Sequence, residues 1–299
     1  MDKSICIEDY YNFKIIESIS EDALKKEWDS IKRNSYGYDS GNSWNKIVRH
    51  FQFKELYKEE LKLWLENPLY RGLPLRSWIY ANRKKYINKG YGELTQAEIL
   101  RAFKITGIHI GYSFHSPFYI KQFIKDYNIK SIYDPCGGWG HRLLGACSVD
   151  AEYSYNDVNP ATYENCIRMM KFLELSCYMY NNDAASFTPS ETYEAVFTCP
   201  PYHNTECYSK YGAENFSYDG FLNWWKLVVT RSCLDKKSCK YFAFIINRTY
   251  ENAMHNICLN NNLELIESHI LGSSKQTSHL NANSSKAKYE KLLIYKKNN

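Results

Sequence analysis

The stretch that decides the fold is Ser131-Ile132-Tyr133-Asp134-Pro135-Cys136-Gly137-Gly138-Trp139-Gly140. Residues 131–135 read as a short strand, the glycines as a tight loop, and a helix opens from about Gly140. Strand, glycine loop and helix in that order make the first turn of an α/β sheet. Gly137, Gly138 and Gly140 allow close backbone approach to a ligand, and the start of a helix offers unpaired N–H groups. The spacing is not the G-x-G-x-x-G of a dinucleotide site. Asp134 at the strand end would repel a pyrophosphate and suit an ammonium group, which favours an amino-acid-bearing ligand. A turn that binds nothing is the alternative.

Outward from this loop, strands and helices alternate. Six further strands are expected at 152–158, 177–183, 193–201, 240–248, 264–272 and 288–297. Helices are expected from Pro160 to about Leu175, around 221–233 and at 250–261. SPFYIKQFIKDYN, with Ser116 as cap and Pro117 at its first position, predicts a helix ahead of the first strand. The continuous apolar run of YEAVFTCPP (193–201) fits a strand covered on both faces. The alternation predicts a doubly wound, mostly parallel, seven-stranded Rossmann-like sheet over residues 110–299. Residues 1–109 predict a mainly helical region, with helices at 20–33 and 53–67 and a turn-rich loop at 35–43.

In such a sheet, ligands bind outside the carboxyl ends of the strands. Asp157, ending the second strand, is placed to take both hydroxyls of a ribose. Asp183, ending the third, is placed to accept from an adenine amino group. Either alone reads as a turn or cap residue, but three carboxylates on three successive strand ends line one crevice.

The fourth strand ends Thr198-Cys199-Pro200-Pro201-Tyr202. The order of D-P-x-G-G-x-G, Asp157, Asp183 and x-P-P-Y resembles the S-adenosylmethionine-dependent methyltransferases that act on exocyclic amino groups of DNA bases, with Cys199 in the place of Ser. The resemblance covers roughly residues 110–297. It implies S-adenosylmethionine as cofactor, held by Asp134, Pro135, Gly137, Gly138, Gly140, Asp157 and Asp183. His115-Ser116-Pro117 resembles the family segment that closes over the methionine end, and an ordinary helix cap is the alternative for Ser116. It also implies a catalytic set of Cys199, Pro200, Pro201 and Tyr202. An aryl amine is a poor nucleophile, and acceptors holding both of its N–H groups favour the reactive, tetrahedral nitrogen. Cys199 and the Pro200 carbonyl would hold the amine, and Tyr202 would stack on a flipped base, N4 of cytosine or N6 of adenine being the target.

A thiol is a weak acceptor, so Cys199 keeps other readings open. It could attack C6 of a pyrimidine and activate C5. Similar tetrapeptides also serve RNA and protein amino-methylation, and a non-enzymatic nucleic-acid-binding module remains an alternative.

The composition sets the partners. Lys and Arg number 38 against 33 Asp and Glu, a net charge of +5. Residues 71–92 contain Arg71, Arg76, Arg83, Lys84, Lys85 and Lys89 with no acid, interleaved with aromatics. This suits phosphate contact and base stacking on duplex or single-stranded DNA, or on RNA; a solvated basic face is the plain alternative. His203 and Tyr208 join the candidate nucleic-acid contacts, and Trp139 could line the pocket. The 27 tyrosines are spread along the chain and fit A/T-rich coding. The 10 cysteines show neither zinc spacing nor a disulfide framework, so no metal is expected and most read as small core residues. No apolar run approaches the roughly 18 residues of a membrane span. The opening MDKSICIEDYYNFK is not a secretory signal. A cytoplasmic protein of bacterial, phage or viral setting is expected.

Overall fold

The computed structural model describes residues 15–16, 19–40, 44–56, 69–70, 73–74, 94–95, 114–201, 216–271 and 290–298. The chain forms two compact units, residues 1–24 with 52–113 and residues 25–51 with 114–299. In the first, Ile15–Ile16 pairs parallel with Leu94–Thr95, and Leu69–Tyr70 pairs antiparallel with Leu73–Pro74.

The first two helices among the described residues are α1 (Glu21–Arg33) and α2 (Lys46–Leu56). The second starts earlier than the expected helix at 53–67, whose remainder from 57 lies outside the described residues. Its start is set by Glu27, a buried acid on α1 whose Oε1 accepts from the Ile47 N–H at 3.0 Å.

The second unit holds a seven-stranded sheet: β1 (Ser131–Asp134), β2 (Glu152–Asn156), β3 (Tyr178–Tyr180), β4 (Ala195–Thr198), β5 (Tyr241–Asn247), β6 (Leu263–Ile270) and β7 (Glu290–Lys297). The order is β6-β7-β5-β4-β1-β2-β3. All neighbours are parallel except β7, which is antiparallel to both β5 and β6. This is the doubly wound, mostly parallel, Rossmann-like sheet expected from the sequence. The chain winds from β1 out to β3 and returns beside β1 with β4. The winding therefore reverses between β1 and β4, and a crevice opens at their carboxyl ends.

Five helices pack with the sheet: α3 (Phe118–Asp126), α4 (His141–Cys147), α5 (Pro160–Phe172), α6 (Tyr218–Val229) and α7 (Arg248–Leu259). Their starts are legible. Asn159 accepts from the Ala161 N–H with Pro160 behind it, Ser217 accepts from Gly220, and Asn247 accepts from Thr249. Helix α6 runs on into one wider turn, Thr230–Leu234. The core is aromatic: Trp225 of α6 is fully buried, with its ring 5.0 Å from Phe244 and 5.6 Å from Phe242 of β5.

Residues 25–51 belong with this α/β unit for a polar reason as well as an apolar one. Lys121 of α3 is buried and caps the end of α1, its Nζ donating to the carbonyls of Ile31 at 2.5 Å and Lys32 at 2.8 Å. Burial pushes its pKa down to about 8. Tyr119 donates to the Ser40 carbonyl at 3.0 Å, and Tyr38 donates to Asp126 at 3.1 Å. The sequence, read for periodicity, placed one division near residue 110. These cross-links are made by single side chains with no periodic signature. Among the described residues no helix is long and apolar enough to cross a membrane.

Candidate functional site

The loop after β1 is folded by its glycines. A Cβ on Gly137 would sit 2.1 Å from the Tyr155 ring, so no side chain fits there. Gly140 has φ +97°, and a Cβ would meet the Met169 methyl at 2.4 Å. At Gly138 the surroundings differ: a Cβ would meet nothing nearer than 4.0 Å. What calls for glycine there is the backbone, whose φ is +57°.

Asp134 is completely buried and is held on every side. Arg142 Nε donates to Oδ2 at 2.6 Å, and Arg142 Nη2 to Oδ1 at 3.4 Å. Tyr153 donates its hydroxyl to Oδ2 at 2.6 Å, and the Cys136 N–H donates to Oδ1 at 3.2 Å. A carboxylate has about four acceptor sites, and these donors fill them. The ammonium expected at Asp134 therefore finds no free acceptor. The carboxylate instead fixes Arg142, which also donates to the Cys136 carbonyl and so braces the loop. Burial works against the guanidinium's charge, but Asp134, Tyr153 and Cys199 together outweigh it and Arg142 stays protonated.

Asp157 and Asp183 are placed differently. Asp157 is half-buried; its Oδ2 accepts from the Gly138 N–H at 2.8 Å and its Oδ1 from the Asn159 N–H at 2.9 Å. Burial pushes its pKa up to about 6 against the pull of those two N–H groups. Asp183 is exposed, and Oδ1 takes both of its donors, the Ala185 N–H at 3.1 Å and Trp224 Nε1 at 2.8 Å. Both carboxylates retain acceptor capacity beyond these donors.

The strand ends are laced together by Asn156. Its amide donates to the carbonyls of Pro135 at 3.0 Å and Asn182 at 2.9 Å, and its oxygen accepts from the Asn182 N–H at 3.0 Å. One side chain thereby sets the relative positions of the loops after β1 and β3. The loop after β1 is also tied to β4, where the Cys136 N–H donates to Thr198 Oγ1 at 3.2 Å. Cys199 and Pro200 follow directly. Cys199 Sγ lies 3.9 Å from the Pro200 carbonyl oxygen, and Arg142 is among its charged neighbours.

Thus Asp134, Pro135, Gly137, Gly138, Gly140, Asp157, Asp183, Cys199, Pro200 and Pro201 lie on the loops at one end of the sheet. The Ser116 hydroxyl is engaged within the fold. It is buried, accepting from Ser40 Oγ at 2.6 Å and from the Phe118 N–H at 3.2 Å, which is the helix-cap role. Neighbouring His115 pairs with Glu290 of β7 at 3.1 Å. Tyr202, His203, Tyr208, Arg76, Arg83, Lys84, Lys85 and Lys89 lie outside the described residues. Sequence reasoning missed Arg142, Tyr153, Asn156 and Trp224. A basic residue two positions beyond a glycine loop was the available signal for Arg142; the other three read as ordinary core and turn residues. Among the described residues no group of three His, Cys, Asp or Glu is arranged to hold a metal.

No protein-family model matches the chain, and no curated protein does. Among solved structures it is similar to an S-adenosylmethionine-dependent methyltransferase from Clostridium acetobutylicum, with 11% identity and a TM-score of 0.44 over 60% of this chain and 89% of that one. A human methyltransferase 10 domain containing protein gives 9% identity and 0.46, over 62% and 84%. An S-adenosylmethionine-dependent methyltransferase from Aquifex aeolicus gives 12% and 0.40, over 59% and 88%.

Proposed function

We propose that this chain transfers a methyl group from S-adenosylmethionine to an exocyclic amino group of a DNA base, N4 of cytosine or N6 of adenine. The observation that carries the reading is the juxtaposition at the end of β4. Cys199 Sγ and the Pro200 carbonyl oxygen stand 3.9 Å apart, tied through Thr198 to the glycine loop of β1. In the free protein the thiol donates to that carbonyl; turned from it, sulfur and carbonyl would offer one acceptor to each N–H group of an amine.

The residues around the crevice fit the cofactor in two of its three parts. Asp157 has acceptor capacity for ribose hydroxyls, and Asp183 Oδ2 for an adenine amine. The amino-acid end is not served by Asp134, whose acceptors are filled within the fold. The cofactor supplies an electrophilic methyl group on a sulfonium. The chain's own part is to hold the amine through Cys199 and the Pro200 carbonyl, so that its lone pair is directed at the methyl carbon rather than into the ring. Tyr202 stacks on the base, which must leave the duplex to reach the site. The basic stretch at 71–92 supplies phosphate contacts.

The test is transfer of labelled methyl from S-adenosylmethionine to duplex DNA, single-stranded DNA and RNA, followed by digestion to nucleosides and mass spectrometry. N4-methylcytosine or N6-methyladenine is expected from DNA. Label found only in RNA or protein moves the substrate. Label on C5 of a pyrimidine makes Cys199 a nucleophile. Cofactor binding without transfer to any of them leaves a binding module.

A further inference from the structure

Two pairs of thiols lie in contact in the α/β unit. Cys147, the last residue of α4, has its Sγ 3.2 Å from that of Cys177, just ahead of β3. Cys233 and Cys239 approach to 3.5 Å. The pairs differ in access: Cys147 and Cys177 are both partly exposed, whereas Cys233 and Cys239 are buried. By sequence these four read as inert core thiols, because residues 147 and 177 share no motif and meet only through the fold.

We propose that Cys147 and Cys177 form a modification site, where a peroxide converts the two thiols to an intramolecular disulfide within the native fold. The bond staples the end of α4 to the edge strand β3. A disulfide is about 2.05 Å long, so the sulfurs must close by only about 1.2 Å from their present separation. The hydrogen bond to Cys177, with burial added, raises the Cys147 pKa well above that of a free thiol. With Cys177 at the head of the edge strand, its thiol meets the oxidant. Its sulfur displaces water from hydrogen peroxide and becomes a sulfenic acid. Cys147 sulfur then attacks that sulfur, its proton leaving with the hydroxide as a second water. Two thiols and one peroxide give one disulfide and two waters, each sulfur losing one electron to the peroxide oxygens.

Strand β3 is three residues long and is paired on one side, with β2, so it is the least secured strand of the sheet. Cys147 and Cys177 sit at the ends of α4 and β3 remote from Gly140 and Asp183. The bond therefore stabilises the walls of the crevice without entering it. This inference does not depend on the reaction proposed for the site.

The experiment treats the reduced, folded, full-length protein with hydrogen peroxide, blocks the remaining thiols by alkylation, and maps linked peptides by mass spectrometry without reduction. A Cys147–Cys177 link is expected to form first, ahead of any Cys233–Cys239 link. The melting temperature should rise on the order of 5–10 °C, because the closed loop restricts the unfolded chain. Both effects should vanish in Cys177→Ala and reverse with dithiothreitol. Cys147 and Cys177 recovered alkylated while other cysteines have oxidised would overturn the proposal. So would a link that forms only after the protein is unfolded in denaturant, or one that leaves the melting temperature unchanged. The link map is read on the unsubstituted protein, so it decides the matter even where Cys177→Ala fails to fold.

Discussion

Asp134 and Asp157 occupy equivalent places: one ends β1, the other follows β2, and both belong to the loops that form the crevice. Their duties are opposite. Asp134 is sealed from solvent and receives four donors, two of them from one guanidinium. Asp157 is half-buried and receives two backbone N–H groups, one on each oxygen. Position at a strand end locates a carboxylate; the number of lone pairs left over decides whether it can serve a ligand. Asp183 falls with Asp157, because its Oδ1 takes both donors.

The largest expected effect breaks the Asp134 side. Arg142→Ala leaves a buried carboxylate without its counter-charge, which costs about 3–5 kcal/mol. Denaturant unfolding should show this loss directly. Asp134→Asn combined with Arg142→Met removes both charges and should recover much of it. A loss below about 1 kcal/mol for Arg142→Ala would mean that the pair is not structural, and the contrast with Asp157 would collapse.

Asp157 should behave the other way, with a large effect on binding and a smaller one on stability. If Asp157 takes the ribose as proposed, Asp157→Ala removes the acceptor for two hydroxyls, at about 1–1.5 kcal/mol each. Affinity for S-adenosylmethionine by calorimetry should fall roughly 30- to 150-fold. The raised pKa adds a signature in pH. Hydroxyl donors favour the ionised carboxylate, so affinity should weaken as pH falls through about 6. In the free protein the sign is reversed for stability. The folded state holds a proton that the unfolded state releases near pH 4, so this group's contribution declines as pH rises from about 4 to about 6. Asp157→Asn should flatten both slopes. An unchanged affinity in Asp157→Ala would remove the ribose from this position.

Trp224 offers a finer cut on the open side. Its indole N–H holds Asp183 Oδ1 at 2.8 Å and leaves Oδ2 without a donor from Trp224. Trp224→Phe keeps most of the ring and deletes that hydrogen bond, worth about 1 kcal/mol. The cofactor should bind roughly 5-fold more weakly. The discrimination against an analogue with a 6-oxo group in place of the adenine amine should shrink with it. Equal weakening for both analogues would place the effect in packing rather than in the aim of Asp183.

How much of this was legible in the sequence follows from the range of each signal. The strands, the glycine loop and the helix opening at Pro160 are local signals, and the doubly wound class followed from the alternation of strands and helices. The antiparallel place of β7 between β5 and β6 had no such signal. The carboxylates at the strand ends were legible as positions. Their separate duties were not, because Asp134 is saturated by Arg142 eight residues on and by Tyr153 nineteen residues on, reached only when β2 pairs with β1. For Ser116 the cap and the cofactor contact stood as alternatives for a related reason. Its cap is local, but the Ser40 hydroxyl that closes it off comes from 76 residues away. The docking of residues 25–51 was invisible for the same cause: Lys121 reads as a surface lysine on an amphipathic helix until its ammonium meets the end of α1.

The smallest expected effect concerns Cys199, and it bears on whether the arrangement at β4 is an amine clamp at all. A hydroxyl accepts a hydrogen bond better than a thiol does, while the Pro200 carbonyl is untouched by the exchange. Cys199→Ser should therefore leave amine methylation within a factor of about three of its starting rate, or raise it, since the gain is one modestly better acceptor of about 0.5 kcal/mol. Attack on a pyrimidine ring makes the opposite demand, because a serine hydroxyl is a far weaker nucleophile than a thiolate. Abolished transfer in Cys199→Ser, together with methyl label on ring carbon in the unsubstituted protein, would make the sulfur a nucleophile. Retained transfer to nitrogen would leave Cys199 as an acceptor that tolerates exchange, with the Pro200 carbonyl as the stronger half of the clamp.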